Sequence, residues 1–261
     1  MTIGDVHGRD TWKFMTHGSS YEFEQWAIMV DNGADPNDKL FKNDYPYTGF
    51  DKIIFIGDYV DSFDVDNIRM KKNLEDIILF KKSLPDKVIL LWGNHDVQYF
   101  IKDQICSGYR PEMQWDLEIL FRDNRNLFQL AYQEDDYLWT HAGLTKPILK
   151  GLIKQYEFLR DLKSESDVLN MAFEMKVPEI FAVDSASGGW SMFGGPLWVR
   201  PPQLQEYGVD LHQVVGHTPQ KRLRIIKGKN DFEIVLTDYI EYSEDLKVRP
   251  FVLNIETKDQ A

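Results

Sequence analysis

The sequence predicts an α/β fold, in which short buried strands alternate with amphipathic helices. Two observations lead to this prediction. Continuous apolar runs recur along the chain, for example at residues 88–92, and such runs are typical of strands buried on both faces. Between these runs, apolar residues return every three or four positions, as at residues 70–78, which is the period of a helix with one buried face.

The predicted strands are short, and most of them end in a turn that contains glycine and a polar residue. They cover residues 1–3, 53–56, 88–92, 137–140, 214–215, 233–236 and 251–255. The predicted helices have apolar stripes at residues 23–30, 70–78, 113–121 and 149–159. Each stripe is most simply interpreted as a helix face packed on a sheet. No segment has the composition of an interdomain linker, so residues 1–261 are predicted to form a single domain.

The composition excludes several classes of protein. Acidic residues outnumber basic ones by 42 to 30, giving a formal net charge of −12, and a surface this acidic repels the backbone of nucleic acids. The chain lacks an apolar run of about 20 residues, which a membrane-spanning helix needs. The first residues do not read as a secretory signal, and the single cysteine, Cys106, fits a reducing cytoplasm. We therefore expect a cytoplasmic protein without nucleic-acid or membrane partners.

Polar turns after the predicted strands are the strongest functional signal. Their sequences are GDVHG from Gly4, GDYVD from Gly57, GNHD from Gly93, HAG from His141 and GHT from Gly216. In open α/β folds, ligands bind at the loops that follow the carboxyl ends of strands. The glycines allow sharp turns and a close approach of the backbone. We therefore expect the polar side chains of these turns to form one site.

The donor atoms in these turns are carboxylate, amide and imidazole groups without a thiolate. This set suits manganese, iron or zinc in a hydrolytic site. There are too many donors for one ion that must keep an open position, so the sequence predicts two ions about 3.5–4 Å apart. Asp58 is the best candidate to bridge them, because it follows a strand of its own and lies between the other ligands in sequence.

In this order, the turn motifs resemble those of the metallophosphoesterase (calcineurin-like) superfamily. They are most similar to its PPP branch of serine/threonine protein phosphatases, in particular the bacterial and phage forms. The motifs extend from Gly4 to Thr218, which is most of the chain. The resemblance implies two mixed β-sheets packed as a sandwich, flanked by helices, with the metals at its edge. It also implies a longer first strand than the residues before Gly4 provide, which is the pattern of a trimmed or mis-called start.

The resemblance also implies roles for individual residues. Asp5 and His7 would bind the first metal and Asp58 would bridge; the second metal would be held by Asn94, His141 and His217. Manganese is expected, with iron or zinc as alternatives. His95 would act as the general acid, oriented by Asp61, because a histidine beside a carboxylate stays protonated near neutral pH. The metals would activate water for in-line attack on phosphorus, so no covalent phosphoenzyme is needed.

One motif departs from the family pattern. The PPP pattern continues GDYVDRG, with an arginine that grips phosphate, whereas this chain has Ser62 and then Phe63. Serine cannot replace a planar, bidentate cation. Arg200 is the best candidate to compensate, because the family often has a phosphate-contacting arginine in that stretch. Arg110 and Arg9 are weaker candidates for substrate binding.

Several functions remain open on the sequence alone. The first is a phosphomonoesterase that acts on phosphoserine or phosphothreonine in proteins. The second hydrolyses dinucleoside polyphosphates, although similar sequences tend to lack the aspartate equivalent to Asp61 and to carry tryptophan in the last motif. Cleavage of phosphodiesters or nucleotides is disfavoured by the pair of Asp61 and His95. A non-catalytic binding module would normally have lost metal ligands, and only the missing arginine favours it. We expect a monomer with a phosphoprotein or a small phosphoester as substrate.

Two other residues have simpler interpretations. His17 is predicted to be an ordinary surface or structural histidine. Cys106 is predicted to be a small buried or half-buried residue, since nothing beside it suggests a lowered thiol pKa.

Overall fold

The computed structural model describes residues 1–38, 41, 44–101, 105–184, 188–239 and 250–254. The strands in this part of the chain are β1 (Thr2–Ile3), β2 (Ile53–Phe55), β3 (Val88–Leu91), β4 (Phe128–Gln129), β5 (Ala131–Glu134), β6 (Tyr137–Thr140), β7 (His212–Val215), β8 (Arg224–Lys227) and β9 (Glu233–Leu236). The helices are α1 (Thr11–His17), α2 (Ser20–Asp31), α3 (Asn67–Ser83), α4 (Asn94–Val97), α5 (Gln114–Asp123), α6 (Lys146–Gln155), α7 (Glu165–Glu174) and α8 (Pro201–Tyr207).

In the described part of the chain, the first sheet contains four strands in the order β1-β2-β3-β4, and these strands pair in parallel. In its register, Thr2 pairs with Ile54 and Ile53 pairs with Val88. Because the strands are parallel, the turns that follow β1, β2 and β3 lie at the same edge of the sheet. These turns contain three of the polar motifs.

Among the described residues, the second sheet contains five strands in the order β5-β6-β7-β9-β8. Strands β6, β7 and β9 are parallel, whereas β5 and β8 pair antiparallel at the two edges. The turns after β6 and β7 therefore lie together as well, and these turns contain the remaining two motifs.

The two sheets pack face to face across a small apolar core. Ile54, Ile56 and Leu91 of the first sheet share a cluster with Trp139 and Val214 of the second. The other face of the first sheet packs against the helices in a larger cluster of buried residues. The predicted sandwich of two sheets flanked by helices is thus confirmed, with the difference that the four strands of the first sheet are parallel and only the second sheet mixes strand directions.

Most predicted elements are present, and the differences have simple causes. The prediction of a strand over residues 251–255 is wrong: Phe251 makes a single antiparallel bridge to Thr2, residues 252–254 are not in a strand, and residue 255 lies outside the described residues. Strand β1 is two residues long and offers little backbone for pairing. The stripe at residues 149–159 is divided, since α6 ends at Gln155 and a 3₁₀ turn follows at Glu157–Asp161. Within the described residues, no helix is both long and apolar enough to cross a bilayer.

Candidate active site

Backbone hydrogen bonds connect the polar turns of the two sheets. The N–H groups of Val6 and His7 donate to the carbonyl of Asp58 at 3.1 and 2.7 Å. The N–H of His95 donates to Asp58 Oδ1 at 3.0 Å, and the N–H of His217 donates to Asp5 Oδ2 at 2.8 Å. The carboxylates of Asp5 and Asp58 are therefore each held by the backbone of another turn.

The structure brings all six predicted metal ligands together. These ligands form two groups, and the ligand atoms of each group lie within 4.8 Å of one another. The first group consists of Asp5, His7 and Asp58, and the second consists of Asp58, His141 and His217. Asn94 belongs beside the second group, since its Oδ1 lies 2.8 Å from His141 Nε2 and 3.0 Å from His217 Nδ1. Asp58 is common to both groups, which is the position expected of a bridging ligand.

Backbone carbonyls determine which nitrogen of each histidine faces the site. His7 Nδ1 lies 3.0 Å from the carbonyl of Val60, and His141 Nδ1 lies 3.0 Å from that of Ile56. A carbonyl only accepts, so Nδ1 holds the proton and Nε2 presents its lone pair to the site. His217 is reversed: its Nε2 donates to the carbonyl of Trp198 at 3.0 Å, so its Nδ1 lone pair faces Asn94.

This arrangement fits a pair of divalent cations. The lone pairs of His141 and His217 point at the amide oxygen of Asn94, and such contacts between acceptors are unfavourable unless a cation lies among them. Asp5 Oδ1 is buried and has no hydrogen-bond partner among the described residues. Burial, together with the charges of Asp238 and Asp58, raises the pKa of Asp5 well above its ordinary value. A buried carboxyl without a compensating charge is typical of a metal site.

Two glycines allow the carboxylates to lie this close to the backbone. A Cβ atom on Gly93 would lie 2.1 Å from Asp58 Oδ1, and one on Gly216 would lie 1.9 Å from Asp5 Oδ1. His7, Asp58 and His217 have positive φ angles of 45°, 53° and 63°, which are unfavourable for residues other than glycine. Such strained positions cluster at functional sites, where the surrounding structure enforces them.

His95 and Asp61 form a hydrogen-bonded pair beside the ligands. His95 Nδ1 lies 3.1 Å from Asp61 Oδ2, and Asp61 also accepts hydrogen bonds from Tyr99 Oη at 2.5 Å and from Gln98 Nε2. Burial alone lowers the pKa of His95, but the charge of Asp58 and the hydrogen bond to Asp61 outweigh it and raise the pKa to about 9. His95 is therefore able to donate a proton at neutral pH.

The three candidate arginines occupy different places. Arg200 lines the cavity above the ligands, and its guanidinium donates to the carbonyls of Gly188 at 2.8 Å and His217 at 2.9 Å. Arg110 donates to the carbonyls of Ser62 and Val65 and thus holds that turn. Arg9 pairs with Asp64 at 2.5 Å in the same turn. Of the three, Arg200 alone lines the cavity in the described part of the chain.

The cavity has a volume of about 400 Å³ and is lined by polar and apolar groups. Its polar lining comes from the predicted site residues. Its apolar lining includes Phe63, Ile105, Val183, Trp198 and Pro219. Their role depends on where the loops lie in space, and the sequence contains no signal for it.

Two further polar residues support the turns from behind. Asp96 accepts hydrogen bonds from the N–H groups of Asp58, Tyr59 and Gly93 at 2.8–2.9 Å. Gln98 joins Asp61 to the loop of Cys106. Its Nε2 donates to Asp61, and its Oε1 accepts a hydrogen bond from the N–H of Cys106 at 2.8 Å. The position of Asp96 within GNHD gave a weak signal for such a role, whereas nothing in the sequence distinguished Gln98.

Comparison with known protein families agrees with this geometry. The family of calcineurin-like phosphoesterases matches residues 1–221. Among solved structures, the chain is similar to a cold-active protein-tyrosine phosphatase from a psychrophilic Shewanella species, with 16% identity, a TM-score of 0.48 and coverage of 92% of this chain and 70% of that one. It is also similar to a protein serine/threonine phosphatase from Saccharomyces cerevisiae, with 16% identity, a TM-score of 0.43 and coverage of 91% and 66%.

A metallophosphoesterase from Sphaerobacter thermophilus is a more remote neighbour, with 13% identity, a TM-score of 0.32 and coverage of 90% of this chain and 74% of that one. No curated protein sequence matches the chain significantly. The family match covers most of the chain and includes every turn that contributes a ligand atom. The chain therefore belongs to the calcineurin-like phosphoesterase family.

Proposed function

We propose that the protein is a metal-dependent phosphomonoesterase that hydrolyses phosphoserine and phosphothreonine esters in proteins. The observation that carries this proposal is the pair of His95 and Asp61, 3.1 Å apart, beside two ligand groups that share Asp58. A monoester of an aliphatic alcohol has a poor leaving group. Its hydrolysis therefore benefits from a positioned proton donor.

The site residues have different roles in the proposed reaction. Two divalent ions, for which we propose manganese with iron or zinc as alternatives, would supply activated water and charge stabilisation when held by the six ligands. His95 gives its proton to the leaving oxygen, and Asp61 keeps the imidazole oriented and charged. The positive charge of Arg200 stabilises the phosphoryl group of the substrate. Arg200 thus replaces the arginine that is absent after Asp61.

Two further features support the proposed location and substrate class. Cys106 is buried and unpaired with another cysteine, which agrees with the cytoplasmic location that we propose. The net charge of −12 favours a protein or small-molecule substrate over nucleic acid. We propose that the protein acts as a monomer.

A panel of substrates tests the proposal. The protein, reconstituted with Mn²⁺, is assayed on para-nitrophenyl phosphate, a phosphothreonine peptide, a bis-phosphodiester and a dinucleoside tetraphosphate. We expect the two monoesters to be hydrolysed with the highest kcat/KM. A clear preference for the tetraphosphate or the diester would overturn the proposal, and inactivity on all four would favour a binding module.

A further inference from the structure

Two exposed apolar side chains lie at the mouth of the cavity. Phe63 is 77% exposed and Ile105 is 72% exposed, and both line the cavity that contains the metal ligands. Phe63 stands where the family motif has glycine, directly after the serine that replaces arginine. The chain has thus exchanged a cation and a small residue for a polar residue and an aromatic ring. We name Phe63 and Ile105 the apolar lip.

The two residues belong to loops that pack together. A Cβ atom on Gly108 would lie 3.5 Å from Phe63 Cζ and 3.1 Å from the carbonyl oxygen of Asp61, so the ring lies against the loop that contains Ile105. That loop is fixed by hydrogen bonds. The N–H of Cys106 donates to Gln98 at 2.8 Å, and Cys106 Sγ accepts from Asn94 Nδ2 at 3.3 Å. The apolar lip is therefore attached to the catalytic turns.

The position of the lip indicates which part of a substrate it would contact. Phe63 follows Asp61 by two residues, and Gln98 connects Asp61 to the loop of Ile105. Both loops are thus on the side of His95, the proton donor for the leaving oxygen in the proposed function. Arg200 belongs to the other wall, where it bonds to the carbonyls of Gly188 and His217. A phosphoester with its phosphoryl group toward Arg200 therefore has its leaving group toward the lip.

We propose that the apolar lip binds an aliphatic or aromatic side chain adjacent in sequence to the phosphorylated residue of a polypeptide substrate. This inference rests on the proposed function and adds a preference for sequence context. Water is released from Phe63 and Ile105 when such a side chain covers them, and this burial favours the complex. A polar neighbour would leave both side chains in water and gain nothing from them.

Two peptides test this proposal. Both contain phosphothreonine, with leucine on each side in one and serine on each side in the other. The leaving alcohol is the same, so the pKa of the leaving group is unchanged and the ratio of the two kcat/KM values reports contacts beyond the ester. We expect the wild type to prefer the leucine peptide by roughly tenfold. In Phe63→Ser and in Ile105→Ser, measured separately, we expect the ratio to fall toward one.

Phe158→Ser is the matched control. Phe158 is 51% exposed and does not line the cavity, so the ratio should stay at the wild-type value in this variant. Equal kcat/KM values for the two peptides in the wild type, or a full preference that survives in both lip variants, would overturn the inference while leaving the proposed function intact. Failure of the metal-loaded wild type on both peptides and on para-nitrophenyl phosphate would instead contradict the proposed function.

Discussion

At the scale of single residues, Gln98 is the side chain that connects the proton donor to its surroundings. Its Nε2 donates to Asp61 and, at 3.1 Å, to the carbonyl of His95, while its Oε1 accepts from the N–H of Cys106. Both the nitrogen and the oxygen of this buried amide are therefore hydrogen-bonded. The orientation of Asp61, and through it that of His95, depends on this contact.

We predict that Gln98→Leu lowers kcat for a phosphothreonine peptide by about tenfold and for para-nitrophenyl phosphate much less, because a good leaving group needs little protonation. Steady-state kinetics on the two substrates measures the difference. Gln114→Leu is the control, since the Gln114 amide donates to the carbonyl of Tyr99 and not to Asp61. Equal losses on both substrates in Gln98→Leu would show that the residue is merely structural.

Gly93 is the second residue with a specific steric role. A Cβ atom there would lie 2.1 Å from Asp58 Oδ1 and 2.3 Å from the backbone nitrogen of Asp58, so both the carboxylate and its backbone would have to shift. We predict that Gly93→Ala retains less than half of the bound metal, measured by elemental analysis after gel filtration. In Gly151→Ala, where no atom lies within 4 Å of the new Cβ, full metal content and about 0.5–1 kcal/mol of added helix stability are expected. Normal metal content in Gly93→Ala would refute the steric argument.

At the scale of elements, helix α1 places His17 in an aromatic cluster with side chains from α2, from α3 and from the 3₁₀ turn at Pro46–Gly49. The ring centroid of His17 lies 4.8–5.1 Å from those of Phe23, Trp26, Tyr47 and Phe80. Its Nδ1 bonds to Thr16 Oγ1 at 2.7 Å, whereas its buried Nε2 has no hydrogen-bond partner among the described residues. Burial, with the nearby charge of Lys13, lowers the pKa of His17 to about 3.

This pKa predicts an acid sensitivity of the fold. The unfolded chain takes up a proton at His17 near pH 6.5, but the folded chain does so only near pH 3. The free energy of unfolding therefore falls as the pH decreases from 6.5 toward 3, by up to about 1.4 kcal/mol per pH unit from this residue. His17→Phe should remove that part of the slope in urea titrations between pH 6 and 4. Above pH 7.5 the two proteins should show parallel stability curves, and an unchanged acid slope would disprove the assignment.

The elements also show what the sequence can and cannot reveal. Strands β2, β3 and β6 were predicted because continuous apolar runs mark strands covered on both faces. Strand β8 was missed because Arg224–Lys227 is a mostly exposed edge strand without such a run. The candidate metal ligands were predicted because they belong to short local motifs that resemble those of a known family. Gln98, Phe63 and Ile105 were not, because their roles arise only when separate loops meet.

At the scale of the whole molecule, the edge of the sandwich holds a cluster of buried acids. Asp5, Asp58, Asp96 and Asp238 are each at most 3% exposed, in a chain whose net charge is already −12. Without divalent cations, the burial of Asp5 and Asp96 beside other carboxylates opposes folding, since burial and the charge of Asp58 raise the pKa of both. The stability of the entire fold should therefore depend on metal.

We predict that saturating Mn²⁺ raises Tm by roughly 5–10 °C over the protein in chelator, because a ligand at about 100 times its Kd adds about 2.7 kcal/mol. Differential scanning calorimetry measures the shift. Asp58→Asn should lose most of it, since Asp58 belongs to both ligand groups. Asp116→Asn, which removes an exposed carboxylate paired with Lys71, should retain it. A full shift in Asp58→Asn would contradict the bridging role.

The hydrogen bond from the N–H of His217 to Asp5 joins residues 212 positions apart in the chain. Contacts of such long range close large loops, and the entropy of closure makes them late events in folding. The first sheet can pair its strands before β7 arrives, but Asp5 receives this bond only when the second sheet has docked. Ion binding at the group of Asp58, His141 and His217 thus reports completion of the fold, whereas a chain arrested before β7 would keep only the group of Asp5, His7 and Asp58.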